Sequence, residues 1–169
     1  MQKFINKYSI PEVDSFLRLY GDALVNRFDE LRALAEDKRE LPEVIEFVPL
    51  SDEENEYDDV VVKLENRIYI SKRMVGEMGF TYPELFAVLA HELGHILYRT
   101  HPWGFDAEER ADSMAAELGL GNQMIAVIEK IIASRKFRNV TSALVRRIQF
   151  LQLISDSIND TEIKQRGRG

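Results

Sequence analysis

The sequence predicts an α+β domain, mostly helical, with a small mixed or antiparallel sheet of about three strands beside one strongly apolar helix. Three observations carry this. Apolar residues recur at helical spacing through several segments, first over residues 13–34. Two short β-rich runs, 60–64 and 67–71, meet at Glu65-Asn66. Between Pro83 and Tyr98 the chain is apolar almost all round, which marks a buried helix.

Ser9-Ile10-Pro11-Glu12 reads as a capping box that starts a helix running to about residue 37. Apolar residues recur along it at helical spacing (Val13, Phe16, Leu17, Leu19, Tyr20, Leu24, Phe28, Leu31 and Leu34), and Gly21 is expected to weaken or bend it. Leu41-Pro42 ends it, and 44–50 reads as a strand. The acidic stretch 51–59 lacks the glycine turn and ligand spacing of a calcium loop, so a solvated, mobile loop is expected. The two runs that follow predict a hairpin whose edge can accept an extended peptide as an added strand.

Thr81-Tyr82-Pro83-Glu84 repeats the capping pattern and launches the apolar helix, and Pro102 with Gly104 predicts a turn after it. Asp106 caps the next helix, with Glu109 three residues on. There Glu108, Ala111, Asp112 and Ala115 share one face, and small residues allow close approach to the preceding helix. Gly119 and Gly121 stop it. Two more helices are expected, 122–133 and 141–155, the second facing inward through Leu144, Ile148, Leu151 and Ile154. Residues 1–155 form a single domain on this reading, and 156–169 a polar, frayed tail.

With 169 residues, 45% hydrophobic and 30% charged, the composition is that of a globular domain with one core. A net charge of −7 speaks against nucleic-acid binding, and the basic clusters near residues 135–138 and 146–147 read as solvated helix surface. There is no cysteine, which excludes disulfides and thiolate-held metal and suits a reducing compartment. The first residues lack the apolar core of a signal peptide. No stretch reaches the roughly 18 apolar residues of a membrane span. The expectation is a soluble, cytoplasmic protein.

Chemistry concentrates in His91-Glu92-Leu93-Gly94-His95, which uses two of the three histidines in the chain. Residues four apart on a helix stand one above the other, so His91 and His95 can grip one metal ion. Glu92 then projects beside that ion as a general base; H-E-x-x-H on a helix has this mechanical reading for zinc. Burying three such groups in an apolar helix without partners costs several kcal/mol, and a metal is the obvious partner.

Catalytic zinc takes three protein ligands. His101 stands at the spacing of the metzincin pattern, but Tyr98 occupies the position where that pattern has the glycine of a sharp turn. Glu108 is the favoured ligand. Glu108-Glu109-Arg110-Ala111-Asp112 resembles the E-x-x-A-D signature of gluzincins, in which the aspartate orients a ligand.

The run Glu84 to His95 resembles the zinc helix of the HtpX and CAAX prenyl protease family. It is also similar to the ImmA/IrrE metallopeptidases, with Arg110 where their pattern has a second glutamate. The likeness spans about Arg67 to Gly121. It implies a zincin-like fold and a zinc metallopeptidase acting on a peptide or protein. One Zn²⁺ would be held by His91, His95 and Glu108, Glu92 would act as general base, and Asp112 would orient a ligand imidazole. His101, Tyr98, Tyr69, Arg146 and Arg147 are the candidate donors to the transition state. Rival expectations are a regulatory or binding module with little turnover, or a latent protease blocked by its tail or acidic loop.

Overall fold

The structure is a computed structural model that describes residues 3–34, 41–56, 58–99, 106–134 and 141–166, without the side chain of residue 163. In chain order the described residues form β1 (Phe4–Ile5), α1 (Pro11–Leu34), β2 (Ile45–Pro49), β3 (Val61–Leu64) and β4 (Arg67–Ile70). The helices α2 (Lys72–Met78), α3 (Tyr82–Leu97), α4 (Ala107–Glu117), α5 (Gly121–Ala133) and α6 (Thr141–Arg166) follow. The architecture is α+β and mostly helical, with a small mixed sheet.

The sheet has four strands in the order β1-β2-β4-β3, one more than expected. The extra strand is the two-residue β1, which pairs parallel to β2 and is too short to leave a periodic signal. β2 and β4 are also parallel, while β3 and β4 form the antiparallel hairpin, with Leu64 opposite Arg67. The turn residue Glu65 takes φ 50°. β3 is therefore an edge strand. Along β2 and β4 burial alternates, so Ile45, Phe47, Ile68 and Ile70 face the core. On the same side Phe4 meets Phe28 edge-on, and Phe16 packs on Phe86.

The start of α1 differs from the expected capping box. Ser9 sits at φ 51°, and Asn6 stitches the turn: its Oδ1 accepts from the Ile10 amide (3.0 Å) and its Nδ2 donates to the Ile10 carbonyl (2.9 Å). The side chain that ties this turn is therefore Asn6, bonding the Ile10 backbone, rather than Ser9. At α3 the box forms as expected, Thr81 accepting from the Glu84 amide and Glu84 from that of Thr81.

Seven-residue α2 lay below the length at which periodicity speaks. Ser71 caps it and Gly79, at φ 66°, ends it in the left-handed conformation. This helix changes the reading of the acidic stretch. Its Arg73 reaches Asp52 (3.0 Å), Asp58 (2.8 Å) and Glu77 (2.9 Å), while buried Asn55 bonds twice to the backbone of Asp59. The described part of the loop is pinned rather than loose. At the other end, α6 runs on through residues 156–166, where a frayed tail was expected. Ile154 and Ile158, one turn apart, extend its inner stripe against the core. Among the described residues no helix is long and apolar enough to cross a membrane.

Candidate metal centre

α3 is the element around which the site is built. Its residues from Glu84 to Leu97 are buried except Glu92 and His95, because α1, α4, α5 and β3 all pack on it. Gly94 makes the closest of these approaches possible. A Cβ there would lie 2.7 Å from both Cα and O of Ala111 on α4. The glycine inside the motif and the alanine one turn after Glu108 are thus a matched pair. They bring α4 near enough for its carboxylates to reach the imidazoles of α3.

The resulting geometry is tight. His91 Nε2 and His95 Nε2 are 3.1 Å apart, and their rings meet edge-on. Glu108 straddles them, with Oε2 3.4 Å from His91 Nε2 and Oε1 3.2 Å from His95 Nε2. Tetrahedral zinc with bonds of about 2.0–2.1 Å to nitrogen and oxygen sets its ligand atoms about 3.3 Å apart. The two imidazole nitrogens lie near that spacing, each carboxylate oxygen of Glu108 lies near it from one imidazole, and one ligand atom from each of the three residues falls within 4.8 Å of the others. Among the described residues these three form the one group of His, Asp or Glu side chains able to hold a metal ion together.

Behind His91 lies a second layer. Its Nδ1 donates to Asp112 Oδ1 (2.8 Å), which leaves Nε2 directed at Glu108 and His95. Asp112 is fully buried and is gripped from the other side by Arg147 of α6, through Nε to Oδ2 (2.8 Å) and Nη2 to Oδ1 (2.7 Å). Arg147 Nη1 also lies 3.3 Å from Glu108 Oε2.

These contacts set the protonation states. Burial pushes Asp112 toward the neutral acid, but hydrogen bonds from Arg147 and His91 outweigh it and its pKa falls. Burial opposes charge on His91 as well, yet Asp112 and Glu108 hold its pKa up at about 9. The two imidazoles hold Glu108 far below the usual carboxylate range. Glu92 moves the other way: burial raises it, against the pull of His91 and His95. The carboxylates of Glu92, Glu108 and Asp112 face the guanidinium of Arg147, and Glu92 also feels Lys63, so anionic groups are concentrated where the two imidazoles meet.

The structure thus brings His91, Glu92, His95, Glu108 and Asp112 together. Tyr98, expected as a donor near the site, is buried, and its hydroxyl is engaged by Arg27 and Glu117. It accepts from Arg27 Nε (2.8 Å) and donates to Glu117 Oε2 (2.7 Å), tying α1 to the ends of α3 and α4. Tyr69 lies with Arg67 on the sheet face opposite Ile68 and Ile70. Arg146 is exposed beside Glu109. His101 lies outside the described residues. Of the candidate donors among the described residues, Arg147 is the one shown in contact with Glu108 and Asp112. Its spacing held the signal: Leu144, Arg147, Ile148 and Leu151 make one helical stripe, so Arg147 is a cation on an inward face.

The chain matches no protein-family model, no curated protein and no solved structure. The reading of the site therefore rests on its own chemistry.

Proposed function

We propose that the chain is a zinc-dependent metallopeptidase of the gluzincin type that hydrolyses a peptide or protein substrate. One observation carries the reading: two imidazole nitrogens and a carboxylate oxygen from neighbouring helices lie within 4.8 Å of one another, close enough to share one ion, with Glu92 beside them. His91, His95 and Glu108 would hold the ion. A zinc ion there would supply a Lewis acid that polarises a carbonyl and acidifies water.

The chain's own residues divide the remaining work. Glu92, with a pKa raised by burial, takes the proton of the attacking water and passes it to the departing amine. Asp112 keeps the His91 Nδ1 proton in place and so fixes the direction of Nε2. Arg147 helps keep Asp112 ionised and presents positive charge beside Glu108 and Glu92. The edge of β3 supports the substrate geometry, because its unpaired side can take an extended peptide as one more strand. The lack of cysteine is compatible with a cytoplasmic setting.

The test separates ligand from base. Glu108→Ala should lose bound zinc by elemental analysis. Glu92→Gln should keep one zinc per chain while peptide cleavage falls by about a hundredfold or more, in line with the worth of a general base. Zinc retained by Glu108→Ala, or cleavage retained by Glu92→Gln, would remove this assignment.

A further inference from the structure

A cavity of about 160 Å³ opens beside His91 and Glu92. Its walls come from elements distant in sequence: Met74 and Met78 of α2, Phe80 of the α2–α3 turn, and Met124, Val127 and Ile131 of α5. An apolar cavity of about 150 Å³ takes a benzene-sized ring, whereas pockets for drug-sized ligands start near 300 Å³. The space suits one side chain and is too small for a whole cofactor. Three methionines give it an adaptable lining that accepts branched or aromatic shapes.

Its rim has a definite charge. Asp58 and Asp59 border the opening, and Arg73 anchors Asp58 and Asp52 to α2, so this wall stands ready before anything binds. The guanidinium that reaches the cavity, Arg147, is already engaged by Asp112 and Glu108. A carboxylate entering here would meet Asp59 and Glu92, while Asp58 is already balanced by Arg73.

We propose that this cavity is the specificity pocket of the enzyme, receiving one bulky apolar side chain, leucine-like or aromatic, from the residue flanking the cleaved bond and rejecting acidic ones. The proposal rests on the peptidase reading for the word "cleaved", but not for the pocket itself. Val60 and Val61, where β3 begins, also line the opening. A peptide added along that edge would therefore lie beside both the cavity and Glu92.

The pocket can be tested without metal. In zinc-free protein carrying ¹³C-methyl methionine, N-acetyl-phenylalaninamide and N-acetyl-leucinamide should shift the methyl signals of Met74, Met78 and Met124. Met114, which packs beside Gly94, should stay still and serves as the internal control. The glycine and aspartate counterparts should move none of them. Ile131→Trp, at a half-buried wall position, fills the space and should abolish the shifts; Met78→Trp serves if Ile131→Trp melts early.

A second arm uses the zinc-loaded protein and a peptide library. Leucine or phenylalanine at one position flanking the scissile bond should be preferred over alanine by about tenfold or more, and Ile131→Trp should invert that order. Methyl shifts without any cleavage would uphold the pocket and remove the peptidase reading. Cleavage with no preference at the flanking positions, and no methyl shifts, would remove the pocket and leave the peptidase reading standing. Equal shifts with the glycine or aspartate probe would also overturn the pocket.

Discussion

At the scale of single residues, Arg147 shows how much of the site is electrostatic support. Asp112 has no exposure to solvent, and two prongs of one guanidinium balance its charge. Arg147→Met would leave a buried carboxylate short of a partner. It should destabilise the metal-free protein by about 3 kcal/mol, read from denaturant unfolding in the presence of a chelator. His91 makes a second prediction. Its pKa is raised from 6.5 to about 9, so its charged contacts support the metal-free fold fully below 6.5 and are lost as pH rises through 9. Zinc must displace that same proton, so affinity should climb between pH 6.5 and 9, with proton uptake by the buffer in calorimetry. Affinity that stayed flat across this range would contradict the assignment of His91 as a ligand. Of these roles, the helical spacing of His91 and His95 was legible from sequence, since i and i+4 share a face whatever surrounds them. The engagement of Tyr98 by Arg27 and Glu117 was not, because Arg27 lies on α1, far away along the chain.

Among elements, the contact of α3 with α4 governs the centre. Gly94 allows it, and a methyl group there would overlap the backbone of Ala111. Gly94→Ala should cost about 1–3 kcal/mol as an overpacking substitution. It should also weaken zinc binding, because α4 carries Glu108 and must move away. A variant that unfolded more easily yet bound zinc as before would show that Glu108 does not depend on this contact. The two caps on these helices, Thr81 with Glu84 and Asp106 with the Glu109 amide, were readable because capping is local chemistry within four residues. The short β1 and α2 escaped notice for the opposite reason. Neither is long enough to show a period, and each is held by partners from elsewhere, β1 by β2 and α2 through Arg73 by the acidic loop.

For the whole molecule, metal binding should appear as added stability. A ligand that binds only the folded state at a thousand times its dissociation constant contributes about 4 kcal/mol. In a chain of this size that amounts to a rise in Tm of about 8–16 °C. Scanning calorimetry with zinc and with chelator should show it, and Glu108→Ala should erase it. The sequence alone determined the α+β class, the presence of the long helices though not the full length of α6, and the pair of histidines on one helical face, since each follows from spacing and from chemistry between near neighbours. Only the tertiary structure decided that Arg147 joins the centre, that the Tyr98 hydroxyl pairs with Arg27 and Glu117, that Arg73 gathers the acidic loop, and that a cavity with apolar walls opens beside Glu92. Those outcomes depend on which distant segments meet, and packing between helices, unlike periodicity within one, is not written in any local stretch of chain.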